Sequence, residues 1–315
     1  MSAEPAARPA ARPAGAGDRR LAGGSGVSQR TLGLACLGLT AIIWGANWSV
    51  VKFMLARMPP FAMRSLSGLL GALVLFAAAG VRGERMLPPL AFLPRLMLDS
   101  MLNFGLWMGL AAYSLYWLPA GEAAIIAYTL PIWAALMAWP LLGERPTARR
   151  TGGLVAGFAG VAVLLGDQPM AASLDQWPGV AMVLFASVSF AFGMVMAKRR
   201  WHPLSPLVDT GWQILLGSIP LGLLSLAFEH WAPGRVDGLR WAVLVYMGLV
   251  AVAAAYLAWF RALALLPAAT AGVGSLLVPV FAVFFAAALL GEPLGLRQLL
   301  ALALTLTGIA LAALA

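Results

Sequence analysis

Histidine, cysteine and acidic side chains are all scarce in this chain, which carries two His, one Cys and twelve Asp plus Glu among 315 residues. A single cysteine, Cys36, cannot form a disulfide framework. No group of His, Cys and acids has metal-ligand spacing, so neither a metal nor another cofactor is expected. A serine hydrolase would need a base beside Ser275, yet both histidines, His202 and His230, fall in loops. Asp99 and Asp209 lack a Gly-x-Gly-Asp context, and their places near helix starts account for them. Without a nucleotide-binding motif, ATP is not the direct energy source. The expectation is that the chain is not an enzyme. Charge is also scarce, at 10% of residues against 62% hydrophobic, a balance that a water-facing surface does not tolerate.

What is present is a series of long apolar runs. A bilayer core of roughly 30 Å needs about 20 apolar residues in helix, so the runs read as membrane spans. The predicted spans are Leu32–Val51, Phe61–Val81, Leu96–Trp117, Gly121–Leu142, Thr151–Gly166, Pro178–Ala197, Pro206–Phe228, Leu239–Leu263, Ala268–Leu290 and Leu299–Leu314. Residues 1–30, rich in Ala, Pro, Gly and Arg, read as a disordered cytoplasmic tail rather than a cleaved leader. The net charge of +9 lies in short loops and the tail, so it is no nucleic-acid footprint. Lys and Arg are in excess on the side that holds the tail, which puts both termini in the cytoplasm and the chain in the plasma (inner) membrane.

The chain also repeats itself. Leu118–Ala162 lies over Leu266–Ala310 without a gap, pairing Pro119 with Pro267, Pro131 with Pro279, Gly143 with Gly291, Glu144 with Glu292 and Gly160 with Gly308. The starts of the two copies match too, Lys52 over Lys198 and Pro60 over Pro206. Because each copy holds five spans, an odd number, the second is upside down. The fold class is therefore an all-α integral membrane protein of ten transmembrane helices in two inverted five-helix repeats, residues 31–167 and 176–315. That is a transporter arrangement, with substrate near the midplane between the halves.

With Trp44-Gly45-Ala46-Asn47-Trp48 in span 1, Arg64 in span 2, and Pro131 followed by Leu142-Gly143-Glu144-Arg145, the chain resembles the EamA-type drug/metabolite transporters over residues 32–314. The resemblance implies a ten-helix carrier of small metabolites, often an exporter of amino acids or related compounds. The alternatives are an uptake permease for a small organic solute, a channel, or an intramembrane enzyme. A channel is disfavoured because no rings of polar side chains recur along the spans.

The candidate cavity residues are Trp44, Asn47, Arg64, Asn103, Trp107, Tyr128, Trp133, Ser187, Ser189 and Ser275. Aromatic walls with a few amide and hydroxyl groups suit a small, neutral or zwitterionic, partly apolar solute as partner, alongside the bilayer itself. Pro131 and Pro279, near the middle of spans 4 and 9, are expected to kink those helices at the depth of the cavity. Gly143-Glu144 and Gly291-Glu292 are expected to be helix-ending turns, each Glu facing the positive end of the next helix. Glu122 reads as a first-turn acid, or as a partner for Arg64 or a coupling proton carrier. Small residues spaced by four, Gly153/Gly157 and Ala301/Thr305, permit close helix approach and offer a packing face or a homodimer face.

Overall fold

The computed structural model describes residues 28–143, 147–166, 170–197, 203–266 and 274–313. Residues 1–27 of the predicted tail, Glu144 and His202 lie outside the described residues. All the regular elements described are helical. They are α1 (Gln29–Met54), α2 (Pro60–Val81), α3 (Leu93–Ser100), α4 (Trp107–Ser114), α5 (Ala120–Ala127), α6 (Leu130–Leu142) and α7 (Ala148–Gly166). There follow α8 (Met170–Ala197), α9 (Pro206–Phe228), α10 (Gly238–Tyr246), α11 (Ala255–Leu265), α12 (Leu277–Leu290) and α13 (Leu296–Ala313). A π-helical stretch, Met101–Leu106, joins α3 to α4, and another, Met247–Ala254, joins α10 to α11. The predicted start at Leu96 moves to Leu93, and the start at Pro178 moves to Met170, so helix extends beyond the apolar windows at those ends.

Among the described residues, six helical segments are long and apolar enough to cross a membrane: Gln29–Met54, Pro60–Val81, Ala120–Leu142, Asp175–Met196, Pro206–Phe228 and Gly238–Leu265. Shorter apolar helices cover Thr151–Val163, Leu277–Leu290 and Leu296–Gly308. Large apolar side chains such as Leu73, Phe185, Leu223 and Phe284 are exposed on these helices, the surface that a lipid environment accepts.

The helix ends follow local chemistry. Ser28 caps α1 by accepting from Thr31 N at 3.1 Å. Ser205 does the same for α9 from Val208 N at 3.3 Å, with Pro206 in the first helical position, where its missing N–H costs nothing. α6 and α12 both end on glycine in the left-handed region, Gly143 at φ 75° and Gly291 at φ 68°. There a side chain would be strained, and the Gly291 and Glu292 amides turn back onto the Ala287 and Ala286 carbonyls.

Helix pairing relies on small residues, since lipid supplies no hydrophobic force between helices. α2 runs antiparallel to α9: Gly222 sits against Ser65, Gly68 against Ser218 and Gly211 against Phe76. α7 runs antiparallel to α13, with Gly160 against Ala301 and Thr305, and Gly308 against Gly153 and Gly157. The two small-residue faces thus meet each other within the chain. α1 lies between α11 and α12: Thr40 and Trp44 donate to the Ala255 and Ala251 carbonyls, and Gly45 abuts Phe281. In the same manner α8 lies between α4 and α6, with Gly179 against Ser114 and Gly193 against Asn103 of the adjoining π stretch. The partners of the first half's helices are therefore the mates of those in the second.

Candidate functional site

Span 4 is broken rather than bent. α5 ends at Ala127, Tyr128 and Thr129 form a turn, and α6 starts at Leu130 with Pro131 in its first turn. Proline has no N–H for the carbonyl four residues earlier, which leaves the Ala127 oxygen without its helical donor. Ser187 of α8, fully buried, shares its one hydroxyl proton between that oxygen and its own Val183 carbonyl, each at 2.9 Å. This is how irregular backbone survives away from water: a neighbouring hydroxyl replaces the lost donor. Ser187, a predicted cavity residue, is thereby committed to the break. Pro279 is also a helix-start residue, the third position of α12. In place of the expected kinks within continuous helices, Pro131 and Pro279 instead stand in the first turns of α6 and α12, where a missing proline N–H is tolerated.

Tyr128, in the turn itself, is half-buried. Tyr128 interacts electrostatically with Tyr256 of α11, and so does Arg64 of α2. Trp44 meets the Tyr256 ring edge-on at 5.4 Å between centroids and Trp259 at 5.8 Å. Arg64 is 7% exposed; its side chain makes no hydrogen bond or ion pair with the described residues, and its Nε has no partner. Asn47, one turn along α1 from Trp44 and on the same face, has a buried Oδ1 without a partner. Tyr256 thus touches Trp44 and lies within electrostatic reach of Arg64 and Tyr128.

Other predicted residues fall elsewhere. Asn103, in the first π stretch, donates to Gln213 Oε1 at 2.9 Å, and Gln213 donates to Asp209 Oδ2 at 2.7 Å, a polar relay between that stretch and α9. Trp107 meets Phe190 at 5.1 Å between centroids, the rings tilted by 50°, between α4 and α8. Trp133 turns toward α7, packing edge-on against Phe158 at 5.1 Å and donating to Thr129 Oγ1 at 3.1 Å. Ser189 is buried on α8, and Ser275 is half-buried just before α12.

The acids hold helix ends together. Glu122, 4% exposed, accepts from Arg297 Nη2 at 2.9 Å and Gln298 Nε2 at 3.2 Å, both on α13. Glu122 is the first-turn acid of α5, as expected, and its partner is Arg297 rather than Arg64, the alternative considered. Glu292 does not serve its own following helix, as expected; its carboxylate accepts from Ala120 N at 2.7 Å and Gly121 N at 3.0 Å at the start of α5. The chain's turn at Gly291 carries the carboxylate sideways to an antiparallel neighbour whose first amides have no helical acceptor. Glu229, after α9, does the same for α2, accepting from Phe61 N and Ala62 N, both at 2.9 Å. Glu84, after α2, accepts from Ser205 Oγ at the start of α9. Lys52 donates to the Leu115 and Leu118 carbonyls at the end of the span containing α4, an opposite charge at the opposite helix end.

The residues missed from sequence were Tyr256, Gln213, Glu229 and Glu84. Tyr256 stands in a run of Ala, Leu and Trp where nothing local separates it from packing residues. Glu229 and Glu84 read as ordinary loop acids.

The EamA-like transporter family model matches residues 31–166 and again residues 177–314. The chain belongs to the EamA-like transporter family. It is a multi-pass membrane protein, and the family is one of transporters. Among curated relatives, an uncharacterized transporter of Bacillus subtilis, YoaV, is 25% identical, covering 87% of this chain and 94% of its own length. A probable amino-acid metabolite efflux pump of Escherichia coli is 28% identical over 86% of this chain and 91% of its own. A solved crystal structure superposes with a TM-score of 0.65 at 23% identity, over 89% of this chain and 97% of that one, which bears on the fold alone.

Proposed function

We propose that this EamA-family transporter is a secondary carrier that exports an amino acid or related small metabolite, rocking one half against the other around a central site. In this reading the chain crosses the plasma membrane ten times as two inverted halves, with both termini in the cytoplasm. The observation that carries it is the exchanged pairing of the helices. α1 packs on α11 and α12 as α8 packs on α4 and α6, while α2 with α9 and α7 with α13 are antiparallel self-pairs. A two-fold axis in the membrane plane produces that pattern. The π-helical stretches in the equivalent spans, beginning at Met101 and Met247, support it further.

The export direction is supported by relatives described as probable amino-acid metabolite efflux pumps. Reporter fusions after Gly143 and after Gly291 are expected on opposite membrane sides; finding both on one side would sink the inverted arrangement. Reconstitution in liposomes with labelled amino acids and hydrophobic amines tests the carrier itself. Saturable counterflow is expected, and ion conductance with no solute movement would overturn it. Glu122 is the proposed coupling acid, held by Arg297 and Gln298. Proton-driven flux that survives Glu122→Gln unchanged would remove that role.

A further inference from the structure

We infer that Arg64 is the receptor for a carboxylate on the solute, with the aromatic side chains Trp44, Tyr128 and Tyr256 on the same side of the bundle as its supporting surface. The inference deepens the carrier reading and rests on it for the solute's passage, though not for its binding. Arg64 sits about one turn inside α2, almost fully buried, and its guanidinium has no acidic partner among the described residues. A buried charge without a counter-ion is strongly unfavourable, so a protein retains one where something else completes it.

The acids that might have done so are committed. Glu229 and Glu292 accept backbone amides, Glu122 holds Arg297, Asp99 pairs with Arg95, and Asp209 accepts from Gln213. Nor does the fold itself require the charge: in the repeat, the place of Arg64 on α2 is taken on α9 by the neutral Thr210.

The chemistry of the complement follows. A guanidinium presents a planar fork of donors that fits a carboxylate with two parallel hydrogen bonds. Arg240 is paired with Asp237 and Arg297 with Glu122, so neither adds a free charge to that of Arg64. One uncompensated positive charge suits a single negative charge, not a phosphate dianion. Tyr256 interacts with both Arg64 and Tyr128, and Trp44 closes on the Tyr256 ring at 5.4 Å. These rings give an apolar part of the solute its contact surface. The buried, unpartnered Oδ1 of Asn47 supplies an acceptor for a donor such as an ammonium group. The class is a small monocarboxylate, zwitterions included.

The test uses the purified full chain in nanodiscs, titrated by tryptophan fluorescence with carboxylate–carboxamide pairs: leucine and leucinamide, phenylalanine and phenylalaninamide, propionate and propionamide. At least one pair is expected to favour the carboxylate by about tenfold or more. Arg64→Gln should bring that pair to parity, with Arg64→Lys intermediate because an ammonium lacks the fork. Without ligand, Arg64→Gln should melt no lower than the parent, since it removes an uncompensated buried charge. Parity for every pair in the parent, a preference unchanged in Arg64→Gln, or a marked loss of stability in that variant would each overturn the inference. Liposome counterflow separates it from the carrier reading. Arg64-dependent carboxylate binding without flux keeps the receptor and drops the carrier. Equal flux of acid and amide drops the receptor and keeps the carrier.

Discussion

Replacing Gly308 by alanine tests a close backbone approach between α7 and α13. A Cβ at Gly308 would lie 2.5 Å from the Gly153 carbonyl oxygen, 2.7 Å from Gly157 N and 3.1 Å from Gly157 Cα. The first of these is about 0.9 Å short of ordinary contact, which begins at 3.4 Å. All three neighbours are backbone atoms, so no rotamer change relieves the clash and α7 must move away from α13. That movement also loosens Gly160 from Thr305 and Ala301. Overpacking of this kind costs about 1–3 kcal/mol, against which the better helix propensity of alanine returns at most about 1 kcal/mol.

Gly152, adjacent to Gly153 on α7, provides the control, since a Cβ there meets nothing within 4 Å. Gly152→Ala should raise stability by up to about 1 kcal/mol. Equilibrium unfolding of the purified protein in mixed micelles with increasing dodecyl sulfate, followed by circular dichroism, reads both. Opposite signs are expected. Equal shifts for the two variants, or a stabilised Gly308→Ala, would refute the close approach of α7 and α13.

Three further outcomes follow from named contacts. Ser187→Ala strips the Ala127 carbonyl of the hydroxyl that replaces the proline-deleted donor, and should cost about 1–2 kcal/mol in the same unfolding assay. Glu292→Gln halves the acceptors facing the Ala120 and Gly121 amides and removes the charge at the start of α5, for a loss of about 1–2 kcal/mol. An effect below about 0.5 kcal/mol, in the range of ordinary surface changes, would mean the carboxylate is not holding the two helices together. Asp237 caps α10, and its carboxyl is held below the usual value of 3.8, first by the Arg240 amide and then by the Arg240 side chain. Because the folded value is the lower one, the contribution of Asp237 is full above the ordinary aspartate range and fades as pH falls through the depressed value. Asp237→Asn, which keeps the cap, should flatten that acid-side decline in melting temperature.

Much of the architecture was legible because it rests on short-range chemistry. Apolar run length predicted the helices, the Ser205-Pro206 pair predicted the start of α9, and Gly143 and Gly291 predicted the left-handed ends of α6 and α12. Duplication and the Trp44-to-Trp48 motif pointed to the family that the matched segments bear out. Hydropathy does not register a break inside an apolar run, so Pro131 read as a kink within one helix. The hydrogen-bonding of Tyr128 and Thr129 makes it the start of another.

Tertiary structure decided the partners. Glu122 meets Arg297, Glu292 meets α5, Ser187 meets Ala127, and Trp44 meets Tyr256. Each of these contacts joins residues far apart in the chain. Helix formation depends on neighbours within about four residues, and a sequence states those directly. A buried charge or an orphaned amide is satisfied by whichever group packing brings near it, and only the assembled bundle determines which group that is.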